Sequence, residues 1–142
     1  MNARGFVLDT NVVSELMRPK PDAGVGDWIE RRSPRELFLA AVTLGEIVRG
    51  VTRLPAGLRR SRLQPWVSEL LPRQFAGRIL AFDQPAAVIW GELMGAADLA
   101  GRPRAAADAQ IAATTLRNDM VLVTRNIADF EGLLPALLNP WE

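Results

Sequence analysis

The run Leu37-Phe38-Leu39-Ala40-Ala41-Val42 is continuously apolar over the length of one strand. A strand wetted on one side alternates polar and apolar residues. One covered on both sides does not, and such strands belong to parallel sheets. The sequence on either side supplies partners for it. Phe6-Val7-Leu8 is a shorter apolar run closed by Asp9-Thr10-Asn11, after which Val12, Val13, Leu16 and Met17 recur at helical spacing until Pro19. Val25, Trp28 and Ile29 mark a second short helix ending near Arg32. Beyond Thr43, which closes the central run, Leu44, Ile47, Val48 and Val51 share one face of a helix predicted over 44–54 and stopped by Pro55. A further amphipathic helix is predicted over 58–71, its arginines on the wet side.

The second half continues the alternation. Arg78 to Phe82 is a third strand, closed by Asp83-Gln84-Pro85 with Pro at a helix start, and that helix runs to Leu99. A helix over 105–116, capped by Asn118, leads to a fourth strand at Met120-Val121-Leu122-Val123, and a short fifth is expected within 133–138. Strands joined by helical crossovers make a parallel sheet covered on both faces, with right-handed connections. The expectation is a single α/β domain spanning 1–142.

Composition excludes whole classes of chemistry. With 142 residues, 49% of them hydrophobic and 23% charged, the chain has the apolar surface that a disordered protein lacks. No apolar run approaches the roughly 18 residues needed to span a bilayer. Met1-Asn2-Ala3-Arg4-Gly5 leads straight into a strand instead of a signal segment, so a cytoplasmic protein without membrane contact is expected. Neither Cys nor His occurs, which removes disulfides, thiolate nucleophiles, imidazole bases and zinc sites together. Any metal must therefore take oxygen ligands, which suits Mg²⁺ or Mn²⁺. The net charge of +1 hides an asymmetry: residues 1–78 carry 13 basic and 8 acidic side chains, residues 79–142 carry 4 and 8. Arg49, Arg53, Arg59, Arg60, Arg62, Arg73 and Arg78 face a single acid, Glu69, within 49–78, a balance suited to a polyanion or to a solvated helix face.

Three acids sit in apolar company: Asp9 after the first strand, Glu46 in the first turn after the second, and Asp108 in the first turn of the helix before the fourth. Asn126 and Asp129 follow that fourth strand. Each has a structural explanation by itself. Asp9 could cap a helix, Thr43-Leu44-Gly45-Glu46 fits a capping box, Asp108 suits a helix N-terminus, and Asp129 suits a turn. Separate explanations do not predict that all would fall at the carboxyl end of one sheet, where α/β folds bind ligands. Carboxylates gathered there repel one another and take up protons unless a divalent cation offsets them. Such a cation activates water and braces a phosphoryl oxygen without any His.

These residues resemble the motifs of the PIN domain family, in particular the VapC-type toxins of bacterial toxin–antitoxin pairs. Leu8-Asp9-Thr10-Asn11-Val12, Thr43-Leu44-Gly45-Glu46-Ile47-Val48-Arg49-Gly50, Ala107-Asp108-Ala109-Gln110-Ile111-Ala112-Ala113-Thr114 and Val123-Thr124-Arg125-Asn126 resemble the four motifs in order. Phe75-Ala76-Gly77-Arg78-Ile79-Leu80 and Asn139-Pro140-Trp141-Glu142 look like the FitB-like branch. The resemblance implies a three-layer α/β/α fold with a four- to five-stranded, mostly parallel sheet flanked by about six to seven helices. It implies a Mg²⁺- or Mn²⁺-dependent endoribonuclease that acts on RNA. The enzyme would be inhibited by a VapB-type antitoxin and homodimeric, alone or in a larger assembly with that antitoxin. Asp9 and Asp108 would be the principal metal ligands, with Glu46 completing the acidic site or positioning water. Asn11 and Thr124 would support the site, and Arg49 and Arg125 would contact substrate. Many relatives carry an acid where this chain has Asn126, so the fourth position falls either to Asn126 as a neutral ligand or to Asp129 as a catalytic acid.

Two rivals remain. An aspartyl-phosphate or dehalogenase-type hydrolase resembles Asp-x-Asp at the first strand and carries a late Lys. Here the motif is Asp9-Thr10-Asn11 and Lys20 is the sole Lys. A catalytically degenerate module that binds nucleic acid or a protein partner is the non-enzymatic alternative.

Overall fold

The computed structural model describes residues 5–142; Met1 to Arg4, part of the opening stretch considered above for a signal segment, lie outside the described residues. The elements are β1 (Phe6–Leu8), α1 (Thr10–Leu16), α2 (Ala23–Glu30), a 3-10 turn (Pro34–Glu36), β2 (Leu37–Ala40), α3 (Ala41–Thr52), α4 (Leu58–Pro65), α5 (Leu71–Gln74), β3 (Ile79–Leu80), α6 (Gln84–Leu99), α7 (Ala106–Arg117), β4 (Val121–Val123), α8 (Ile127–Phe130) and β5 (Leu137–Leu138). A π-helical turn, Trp66–Leu70, joins α4 to α5.

All strand pairs are parallel, in the order β3-β2-β1-β4-β5. Side chains alternate across the sheet as the pleat requires. Leu8, Leu37, Leu39 and Val123 enter one core with Val12, Ile47 and Leu71 from the helices between β1 and β3. Val7, Ala40 and Leu122 enter the other, with Ile111 and Ala112 of α7 and Phe130 of α8. Burial on both faces is why the Leu37 run lacks alternation. The chain winds from β1 outward to β3, then returns to lay β4 on the other side of β1. The crevice between β1 and β4 is thus the topological switch point, where ligands bind in sheets of this kind. Among the described residues no helix is long and apolar enough to cross a membrane.

The structure departs from the sequence expectations at three places. The central run gives only four strand residues, and α3 begins at Ala41, three residues before the predicted start. Ala40 is its N-cap and supplies no side-chain cap, so the capping box does not form. Thr43 lies inside the helix with its hydroxyl buried and unpaired, and Glu46 moves to the second turn. The third strand shrinks to two residues at the sheet edge. The helix predicted over 58–71 becomes a rod through Gln74 with the π turn inside it. Pro65 and Pro72 each lack the N–H that the regular ladder needs, and Leu71 N–H reaches back five residues to the Trp66 carbonyl. With that rod counted as one, the described residues hold seven helices.

Candidate active site

Asp9 and Thr124 leave adjacent strands side by side. Leu8 pairs with Val123, and the Asp9 N–H continues the ladder to the Val123 carbonyl at 2.9 Å. Asp9 is 5% exposed, and its two carboxylate oxygens are held separately. Oδ1 accepts from the Thr10 N–H at 2.8 Å, the cap of α1. Oδ2 accepts from the Thr124 hydroxyl at 2.8 Å and from the Asn11 amide at 3.2 Å. The same Thr124 hydroxyl accepts from Asn11 Nδ2 and from the Asn126 N–H at 3.0 Å, while Asn11 Oδ1 takes the Arg125 N–H at 3.2 Å. Asn11 and Thr124 therefore stitch the end of β1 to the loop after β4. The helix cap considered for Asp9 forms with one carboxylate oxygen, which leaves the other in the crevice beside Thr124 and Asn11.

Glu46 approaches from α3, where its Oε1 accepts from the Thr10 hydroxyl at 2.8 Å. Asp108 is the third residue of α7, whose N-cap Ala105 offers no side-chain bond. Asp9, Glu46, Asp108 and Asn126 line one cavity of about 880 Å³. Arg18, Arg59, Arg62 and Arg125 line it too, with Met17, Leu54 and Trp141. Carboxylates, guanidinium groups and apolar side chains thus share one cavity.

Burial and, behind it, mutual repulsion raise two of these carboxyls. The Asp108 carboxyl is pushed up to about 6, first by partial burial and then by Asp9, Asp129 and Glu46, with Arg104 opposing. Burial also raises Asp9; the Thr124 and Thr10 hydrogen bonds pull against it, and Glu46 and Asp129 add to it. Asp129 itself is exposed on α8 and lies outside the cavity lining, its charge felt by the others. Among the described residues, no three acids stand close enough together to hold one metal ion. The acids share the cavity, but do not close on a common point.

Arg49 also lies outside the lining. Ile47, Gly50 and Val51 present α3 to the cavity, and Arg49 falls about 60° round the helix on the far side of Glu46. The sequence reading missed Glu15, Thr10 and Trp141. Glu15 is 7% exposed, lines the cavity and accepts from the Asp22 N–H at 2.9 Å and from Arg18. It carried the same signal as the other acids, a carboxylate among Val12, Val13, Leu16 and Met17.

Two buried threonines provide a matched test of this network. Thr124→Val removes a hydroxyl with three partners and is expected to cost about 1–3 kcal/mol. Thr43→Val removes a buried hydroxyl with none and is expected to be neutral or stabilising. Urea unfolding midpoints report both, and equal losses would contradict the network.

Residues 6–131 match the PIN domain family. The chain is 39% identical over 138 residues to "VapC ribonuclease Y4jK" of Sinorhizobium fredii, covering 96% of this chain and 98% of that protein. It is 36% identical over 136 residues to "Toxin FitB" of Neisseria gonorrhoeae, covering 96% and 98%. The crystal structure of FitAcB from Neisseria gonorrhoeae superposes with a TM-score of 0.88 at 36% identity, covering 96% of this chain and 99% of that one. With the family matched from β1 to the end of α8 and these relatives matched along nearly their whole length, the chain belongs to the PIN domain family.

Proposed function

We propose that this PIN-domain protein is the toxin of a toxin–antitoxin pair, a Mg²⁺- or Mn²⁺-dependent endoribonuclease of the cytoplasm restrained by a VapB-type antitoxin. The observation that carries the proposal is the presence, in the lining of one cavity, of the Asp9, Glu46 and Asp108 carboxylates together with four arginines. The names of the VapC and FitB relatives support it.

In kind, the donors suit a hard divalent ion, since Asp9, Asp108 and Glu46 offer oxygens alone; in position they stand apart and would have to draw together to share one ion. Burial first, and then the neighbouring acids, raise the Asp9 and Asp108 carboxyls, and a cation would favour their charged forms. When bound, such an ion lowers the pKa of water and stabilises charge on a phosphoryl oxygen. The protein's own contributions are positional. Thr124 and Asn11 fix the Asp9 carboxylate, Thr10 fixes Glu46, and Arg125 with Arg59 and Arg62 receives the phosphates of the strand. Those two take the role the sequence assigned to Arg49, which is turned away from the cavity. Asp129 adds, from outside the lining, a charge that acts on Asp9 and Asp108, and Asn126 adds a neutral oxygen.

Expression in a bacterial host is expected to arrest growth, and co-expression of the cognate antitoxin to relieve the arrest. Unimpaired growth, together with intact RNA after incubation with the purified protein, would instead favour a non-catalytic binding module, for which the separation of the acids speaks. Of the two candidates for the fourth position, Asp129 carries the charge that acts on Asp9 and Asp108. Asp129→Ala is therefore expected to slow cleavage more than Asn126→Ala, and initial rates in the reverse order would assign the position to Asn126.

A further inference from the structure

Trp141 lies more than a hundred residues from the first acid in sequence, yet lines the same cavity. Its placement is built from both sides. β5 pairs with β4, with the Thr124 N–H bonded to the Leu138 carbonyl at 2.9 Å, so the chain arrives beside the loop after β4. Asn139 Oδ1 then accepts from the Trp141 N–H at 2.9 Å. The backbone beyond it lies on the first turn of α2 so closely that a Cβ on Gly24 would stand 3.0 Å from the Pro140 carbonyl. The half-buried indole packs on the core that holds Val12 and Val25. The Arg125 guanidinium, from the loop after β4, sits over the ring at 5.2 Å from its centroid.

A large aromatic that lines a cavity, with a guanidinium over its ring and further arginines, Arg59 and Arg62, in the same lining, is the combination that holds single-stranded nucleic acid. Aromatic faces take bases of any identity, and guanidinium planes stack on bases or bind the adjoining phosphate. We propose that the Trp141–Arg125 pair is the docking step for one unpaired base of the RNA strand next to the scissile phosphate. This rests on the ribonuclease reading for the site's purpose, but not for its measurement. Trp141 acts as a substrate-positioning residue and takes no part in the chemistry. The arginines of the lining favour RNA over an acidic peptide only together with the stacking face, so dependence on the base is the property to measure.

The test uses short single-stranded RNA in which one abasic nucleotide is moved along the chain. Affinity is read by fluorescence anisotropy in the full-length Asp9→Asn protein, so binding is scored whether or not the acidic site cuts. At one position, loss of the base is expected to weaken binding about tenfold, within the range of base–aromatic stacking. Trp141→Ala is expected to lose a similar factor on intact RNA and to pay no further penalty at that position; Trp141→Phe should keep the penalty. Should Trp141→Ala fail to fold, Trp141→Leu fills the apolar contact without an aromatic face and carries the comparison. An abasic penalty unchanged in the Ala or Leu variant overturns the proposal, and so does Trp141-dependent binding of an acidic peptide with none of RNA. With the base-dependent binding in hand, failure of the wild type to cut RNA would sink the ribonuclease reading and leave the docking step standing.

Discussion

Asp9→Asn is expected to lower RNA cleavage at least about a hundredfold while the protein stays folded. The two effects separate because the helix cap and the proposed site role draw on different properties of Asp9. As the cap of α1 it needs one acceptor for the Thr10 N–H, and the Asn amide oxygen supplies it. As a site residue it brings a negative oxygen to the crevice, and Asn does not. Its other atom, now an amide, faces the Thr124 hydroxyl and Asn11 Nδ2, so some hydrogen-bond energy is lost. Against that loss stands the removal of a buried charge beside Glu46 and Asp129. The melting temperature should therefore move little. Initial rates on single-stranded RNA and a circular dichroism melt give both numbers. A variant that cuts at the wild-type rate would show that Asp9 is only a helix cap.

The second large effect concerns stability. In the absence of divalent ions, Asp108→Asn is expected to stabilise the protein at about pH 7.5 and to do so much less at about pH 4. The Asp108 carboxyl is raised from 3.8 to about 6, so between those values the folded state binds the proton more tightly than the unfolded state. As the pH rises from about 4 to about 6 the unfolded state gives up the proton that the folded state keeps, so stability falls across that window and levels off above it. Asp9, raised in the same sense, adds to the slope. A divalent ion reverses the preference by favouring the charged forms, so the melting temperature gained on adding Mg²⁺ or Mn²⁺ should be larger at the higher pH and nearly absent in Asp108→Asn. Thermal melts of the two proteins in chelator and in metal at both pH values report this. If Asp108→Asn destabilises the apo protein more at the higher pH, Asp108 is not under the repulsion described.

Much of this site was legible because burial makes carboxylates conspicuous. Asp9 and Asp108 stand out in sequence for the same reason that their carboxyls are raised in the structure: apolar neighbours, other acids and little cationic compensation. The parallel sheet was legible in Leu37-Phe38-Leu39-Ala40 because burial on both faces erases alternation. The same property hid the start of α3. A buried strand and the first turn of a buried helix are both apolar, so nothing local separates Ala40 from Ala41, and the false capping box at Thr43 filled the gap. Charge was legible as a total for the Arg-rich segment, but not as a direction. Whether Arg49 or Arg59 meets the cavity depends on helix phase and on how α4 packs, which no count of charges contains. Trp141 was invisible as a site residue because only the pairing of β5 with β4 and the seat on α2 bring it there. Glu15 shows the converse, a buried acid that carried the signal and was passed over.

The most direct test of the acidic cavity's role is a cleavage assay on protein stripped of divalent ions. Wild-type protein should leave single-stranded RNA intact in EDTA, cut it when Mg²⁺ or Mn²⁺ is restored, and lose that response in Asp9→Asn. Undiminished cutting in EDTA would contradict the account, as would full activity of Asp9→Asn with metal.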